Sequence, residues 1–88
     1  MIDGQKHCLN ALHGLTYPHE VCVPFIPIQD LTGYDRRTVR RHVRALARKG
    51  LAEYHRGLCD DEGKPAGAGY CITQAGIEAI EALIKAHD

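Results

Sequence analysis

Six arginines, Arg36, Arg37, Arg40, Arg41, Arg44 and Arg48, follow one another closely, and no Asp or Glu interrupts them. A guanidinium keeps its charge throughout the physiological range and offers a planar fork of donors, which fits phosphate oxygens and the acceptor edge of guanine alike. The chemistry these side chains can do is recognition of a polyanion, not bond making. With Lys49 the run holds seven of the eleven basic residues in the chain. The acids lie elsewhere, notably in the Asp60-Asp61-Glu62 run and among the last residues, so a formal charge of zero conceals one concentrated positive segment.

One element must hold these groups on one side. At the helical period Val39, Val43 and Leu46 form an apolar stripe, while Arg37, Arg40, Arg41, Arg44 and Arg48 gather opposite it. An ordinary solvated helix mixes signs. Here Arg36, Arg40 and Arg44, and likewise Arg37 and Arg41, are like charges one turn apart, each pair costing roughly a few tenths of a kcal/mol. A polyanionic partner would offset that repulsion. Asp35 is placed to cap the helix and Gly50 to end it in the left-handed region.

The remaining elements follow from similar signals. Cys8, Leu9, Leu12 and Leu15 predict a helix over residues 3–15, with Asp3 as its cap and Gly14 near its end. Val21, Val23 and Phe25 alternate, which predicts an extended stretch over 20–26, held to an edge by Pro24. Pro27 suits the first turn of a short helix through Leu31, closed by Gly33, with Ile28 and Leu31 packing on Val39, Val43 and Leu46. A strand over 51–56, a loop over 57–69 and a strand over 70–73 come next. Thr73 can then cap a last helix over 75–86, whose stripe is Ile77, Ile80, Leu83 and Ile84. The 88 residues suffice for one domain, expected over 1–88, and its order of elements predicts an α+β fold: a helix-turn-helix followed by a small antiparallel β-wing and a C-terminal helix.

Other chemistries find less support. The four cysteines and six histidines show no C-x₂₋₄-C or H-x₃₋₅-H pairing, so no metal ligand is assigned and no cofactor is expected; Cys8 and Cys71 read as small core residues. No nucleophile elbow, Walker loop, dinucleotide fingerprint or HExxH is present, so the chain is not expected to be an enzyme. No signal-like segment and no long apolar run occurs, which predicts a cytoplasmic chain with reduced thiols and no membrane partner. His42 reads as a packing residue or a phosphate contact, and Tyr34 and Tyr54 as packing residues or as stacking groups at the edge of the arginine surface.

Residues Ile28-Gln29-Asp30-Leu31-Thr32-Gly33, Thr38-Val39-Arg40-Arg41-His42-Val43-Arg44-Ala45-Leu46, Lys49-Gly50-Leu51 and Tyr70-Cys71-Ile72-Thr73-Gln74-Ala75-Gly76 together resemble the core of bacterial winged helix-turn-helix transcription regulators of the MarR and ArsR type. The resemblance spans roughly residues 24–84. It implies double-stranded DNA as partner, residues 36–49 as the recognition helix and 57–69 as the wing tip. Arg36, Arg37, Thr38, Arg40 and Arg41 are then expected at base edges and nearby phosphates, and Arg44 and Arg48 at the backbone. Gln29, Arg56 and Lys64 are weaker phosphate candidates. Family wings carry basic tips, whereas this one has Asp60, Asp61 and Glu62, so its loop is expected to face away from DNA or to meet a protein. A homodimer through the first and last helices would supply site length. The alternatives are a winged helix used for protein contact and a metal- or redox-responsive regulator.

Overall fold

The computed structural model describes residues 2–17, 22–59 and 65–87, without the side chains of 56–59, 65–68 and 87. The elements run α1 (Asp3–Thr16), α2 (Phe25–Thr32), α3 (Arg36–Arg48), β1 (Ala52–Cys59), β2 (Pro65–Ile72) and α4 (Gln74–His87). The two strands pair antiparallel, with Tyr54 opposite Tyr70 and a register shift between His55 and Leu58. Val23 adds an isolated bridge on the other side of β2, its N–H donating to Tyr70 O at 2.9 Å and its carbonyl accepting from Tyr70 N at 2.8 Å.

One core joins the layers. Leu9 and Leu12 of α1, Ile28 of α2, Val39, Val43 and Leu46 of α3, and Ile72 of β2 are all fully buried within it. Ile77 and Ile80 bring α4 onto the same cluster. Thr16 ties α1 to the sheet: its hydroxyl donates to Leu12 O at 2.7 Å and accepts from Ile72 N at 3.0 Å, so a buried polar side chain satisfies a strand N–H that lacks a ladder partner.

Several local expectations need correction. Asp3 is the first residue of α1 rather than its cap, and the cap Ile2 makes no side-chain hydrogen bond. Asp3 still sits where the helix dipole favours a carboxylate. Gly14 does lie in the last turn of α1, which runs one residue beyond the expected end to Thr16. Helix α2 starts at Phe25, so the extended stretch ends sooner than its alternation suggested and Pro27 occupies the third helical position. Proline is harmless there, because the first four N–H groups have no intrahelical acceptor. Leu31 points outward, 61% exposed, and only Ile28 of the expected pair enters the core. The hairpin is longer than expected, since both strands extend into the glycine-rich segment. Residues 18–21 and 60–64, including the Asp60-Asp61-Glu62 run, lie outside the described residues.

Candidate nucleic-acid interface

The candidate surface is the outer side of α3. Asp35 caps the helix, its Oδ1 accepting from Thr38 N at 2.8 Å. The Thr38 hydrogen bonds, followed by the charges of Arg37 and Arg41, hold the Asp35 carboxyl below its ordinary value. At the far end Gly50, at φ 77°, turns the chain in the left-handed region. Gly50 N donates to Ala47 O at 3.0 Å and Leu51 N to Leu46 O at 2.9 Å, the paired bonds of a Schellman stop. Both ends of the arginine helix are thereby fixed by its own neighbours in sequence.

The turn after α3 is docked as well as closed. Thr73 Oγ1 donates to Gly50 O at 2.6 Å and accepts from Gly76 N at 3.0 Å, so one hydroxyl caps α4 and grips the α3 stop. Gly76 must be glycine for this contact, because a Cβ there would come within 2.1 Å of Leu51 O.

Arg36, Arg37, Arg40, Arg41, Arg44 and Arg48 are all exposed, and Thr38 is half-buried. Arg37, Arg40, Arg41, Arg44 and Arg48 line one shallow groove on the helix. Among the described residues no carboxylate stands within 4.0 Å of any of these guanidiniums. Arg36 diverges from the rest, its guanidinium carbon lying 5.9 Å from the Phe25 ring centre, where the π face attracts a cation. Arg40 and Arg44 also border a second hollow beside the hairpin, lined by Phe25, Tyr54 and Tyr70. Tyr70 stacks on Phe25 at 5.7 Å and meets Tyr54 at 5.0 Å between ring centres.

The inner side of α3 carries a buried polar ring. His42 is 6% exposed, which removes it from the phosphate-contact candidates and leaves it as packing. Burial, then the charge of neighbouring Arg41, lower its pKa from the ordinary 6.5. Gly4 of α1 lies directly over the ring, where an added Cβ would approach Nε2 to 2.3 Å. Tyr34 is half-buried on the other side of α3, its hydroxyl 2.6 Å from His7 Nδ1 and its ring 5.9 Å from that of His42, and it does not line the arginine groove. Tyr54, by contrast, does border Arg40 and Arg44. Gln29 is half-buried on α2, while the Arg56 side chain and Lys64 lie outside the described residues. Sequence reasoning missed Phe25 as a partner of this surface, since its alternation with Val21 and Val23 had placed it in a strand.

No family model matches the sequence, and neither does any curated protein. Solved structures do match the fold. A MepR variant of Staphylococcus aureus bound to an oligodeoxyribonucleotide superposes with a TM-score of 0.79 at 22% identity, covering 100% of this chain and 59% of that one. BpsR of Bordetella bronchiseptica, whose DNA binding is regulated by 6-hydroxynicotinic acid, gives 0.75 at 18% identity over 97% of this chain and 54% of its own. The fold is that of MarR-type winged-helix regulators. The winged helix also matches the PcaV transcriptional regulator of Streptomyces coelicolor in complex with its natural ligand, with a TM-score of 0.69 and 23% identity over 92% of this chain and 51% of that one. The chain therefore spans a little over half the length of these regulators. In its own winged helix the arginine groove lies on α3, the second helix of the helix-turn-helix pair. Among the described residues no helix is long and apolar enough to cross a membrane.

Proposed function

We propose that this chain is the DNA-binding domain of a transcription regulator, without catalytic activity of its own, which sets α3 into the major groove of double-stranded DNA. The observation that carries the reading is the groove of five exposed arginines with no carboxylate partner among the described residues. The major groove admits an α-helix, and the first turns of a recognition helix go deepest. Arg37, Thr38, Arg40 and Arg41 are thus assigned to base edges and adjacent phosphates, and Arg44 and Arg48 to the backbone. Arg36 meets a phosphate near the α2 start, steadied by Phe25. Gln29, Arg56 and Lys64 stay as flanking phosphate contacts. A second copy bound symmetrically would lengthen the site. The likeness to DNA-binding regulators supports the reading at the level of fold.

Anisotropy of a labelled random duplex tests it. Five neutralised phosphates predict a slope of log K against log salt of about −4 to −5. Affinity should then fall about 500-fold between 50 and 200 mM salt. Binding that is absent at micromolar protein, or indifferent to salt, would remove DNA as the partner and favour contact with a protein.

A further inference from the structure

Away from the arginine groove, three residues remote in sequence converge on one side of the sheet. The Val23–Tyr70 bridge is antiparallel, so the residue before Val23 and the residue after Tyr70 stand side by side: Cys22 and Cys71. Across β2, Cys71 pairs in register with Glu53, and His55 projects from the same face of β1 two positions along. The two thiol sulfurs and an imidazole nitrogen lie within 4.8 Å of one another. Cys71 is buried, Cys22 half-buried and the His55 side chain 45% exposed, so the cluster opens to solvent at its imidazole edge.

We propose that Cys22, His55 and Cys71 form a Zn²⁺ site at the root of the wing. Two sulfurs and one imidazole make a donor set that zinc accepts in tetrahedral geometry. Ligand atoms around such an ion stand roughly 3.5–4 Å apart, given Zn–S near 2.3 Å and Zn–N near 2.0 Å, so closing this cluster takes a movement of about 1 Å or less. The fourth corner is left to water or an exchangeable ligand, and the exposed imidazole gives the ion a way in. Glu53 Oε2 lies 3.3 Å from His55 Nε2, the outer carboxylate that holds a ligating ring in orientation. On binding, each thiol that becomes a ligand gives its proton to solvent, and no electron is transferred. Cys8, buried in the core between the helices, belongs to a different part of the fold.

The test titrates the whole chain, reduced and stripped of metal, with Co²⁺ and then Zn²⁺. Expected are saturation at one Co²⁺ per chain, visible bands of tetrahedral cobalt, a thiolate-to-cobalt charge-transfer band, and displacement of all three features by Zn²⁺. Cys22→Ser, at a half-buried position, should keep the fold while the charge-transfer band falls to roughly half at saturating cobalt, one thiolate of two remaining. His55→Gln should keep that band but weaken binding, and Glu53→Gln should weaken it by about 10- to 100-fold. No stoichiometric uptake, uptake unaltered in both Cys22→Ser and His55→Gln, or a Cys22–Cys71 disulfide that forms in place of cobalt binding would each overturn the assignment.

Discussion

The outer faces of α3 and of the α1–α4 pair carry charge in different ways. On the α1–α4 side both signs occur, from Asp3, Lys6, Glu78, Glu81 and Lys85, and Asp3 lies 4.0 Å from Lys6. On α3 all six charged side chains are arginines. A chain of zero net charge has thus been sorted spatially, leaving one helix whose charges are all positive, while α1 and α4 mix acids with lysine. The repulsion on α3 is tolerated because its ends are capped and its inner stripe is fully buried. Stability comes from one side of the helix, and the other is free for a partner.

The largest effect that would break this contrast is charge reversal. Arg40→Glu with Arg44→Glu should lower duplex affinity by at least about 100-fold, since the slope loses two cations and gains two repulsions. Lys6→Glu with Lys85→Glu, on the mixed-sign side, should change it by less than about threefold. Equal losses in anisotropy titrations would erase the distinction between the faces. Circular dichroism should show both proteins folded.

Next come the two ways α1 meets its surroundings. Gly4→Ala drives a methyl into the buried His42 ring and should cost about 1–3 kcal/mol in urea unfolding. Gly14→Ala, with nothing within 4 Å of its Cβ, should instead stabilise the protein by about 0.5–1 kcal/mol. A gain in both variants would mean that the inner face of α3 is not closely covered.

The smallest effect concerns pH. The folded pKa of His42 is depressed, so the unfolded chain binds more protons than the folded one between that lowered value and 6.5. The contribution is therefore complete above 6.5 and is lost as pH falls through that window. Replacing the ring by His42→Phe should flatten the decline of the urea midpoint between pH 7 and 5; an unchanged decline would place the sensitivity in other groups.

Much of this was legible because it is local. Asp35, Gly33, Gly50 and Thr73 act on backbone groups a few positions away, and each signals an element end that the fold confirms. The arginine stripe is equally local, since helical period alone sorts it from Val39, Val43 and Leu46. What the sequence obscured depends on partners far along the chain. Pro27 is allowed anywhere in a first turn, so the start of α2 was ambiguous, while the outward turn of Leu31 depends on how α1 and α3 pack on α2. His42 falls beside an apolar stripe, and only the approach of Gly4 from α1 shows how completely it is covered. Cys22, His55 and Cys71 sit on three separate extended segments, so no spacing rule could unite them.

The two short bonds between Val23 and Tyr70 carry a mechanical consequence. They fasten the entry of α2 to the hairpin, so movement of the wing is coupled to α2. On the proposed DNA-binding reading, a duplex whose backbone pushed the hairpin aside would also have to rock α2 and, through Ile28, α3. Local groove width would then enter the binding energy even at base steps that no side chain reaches.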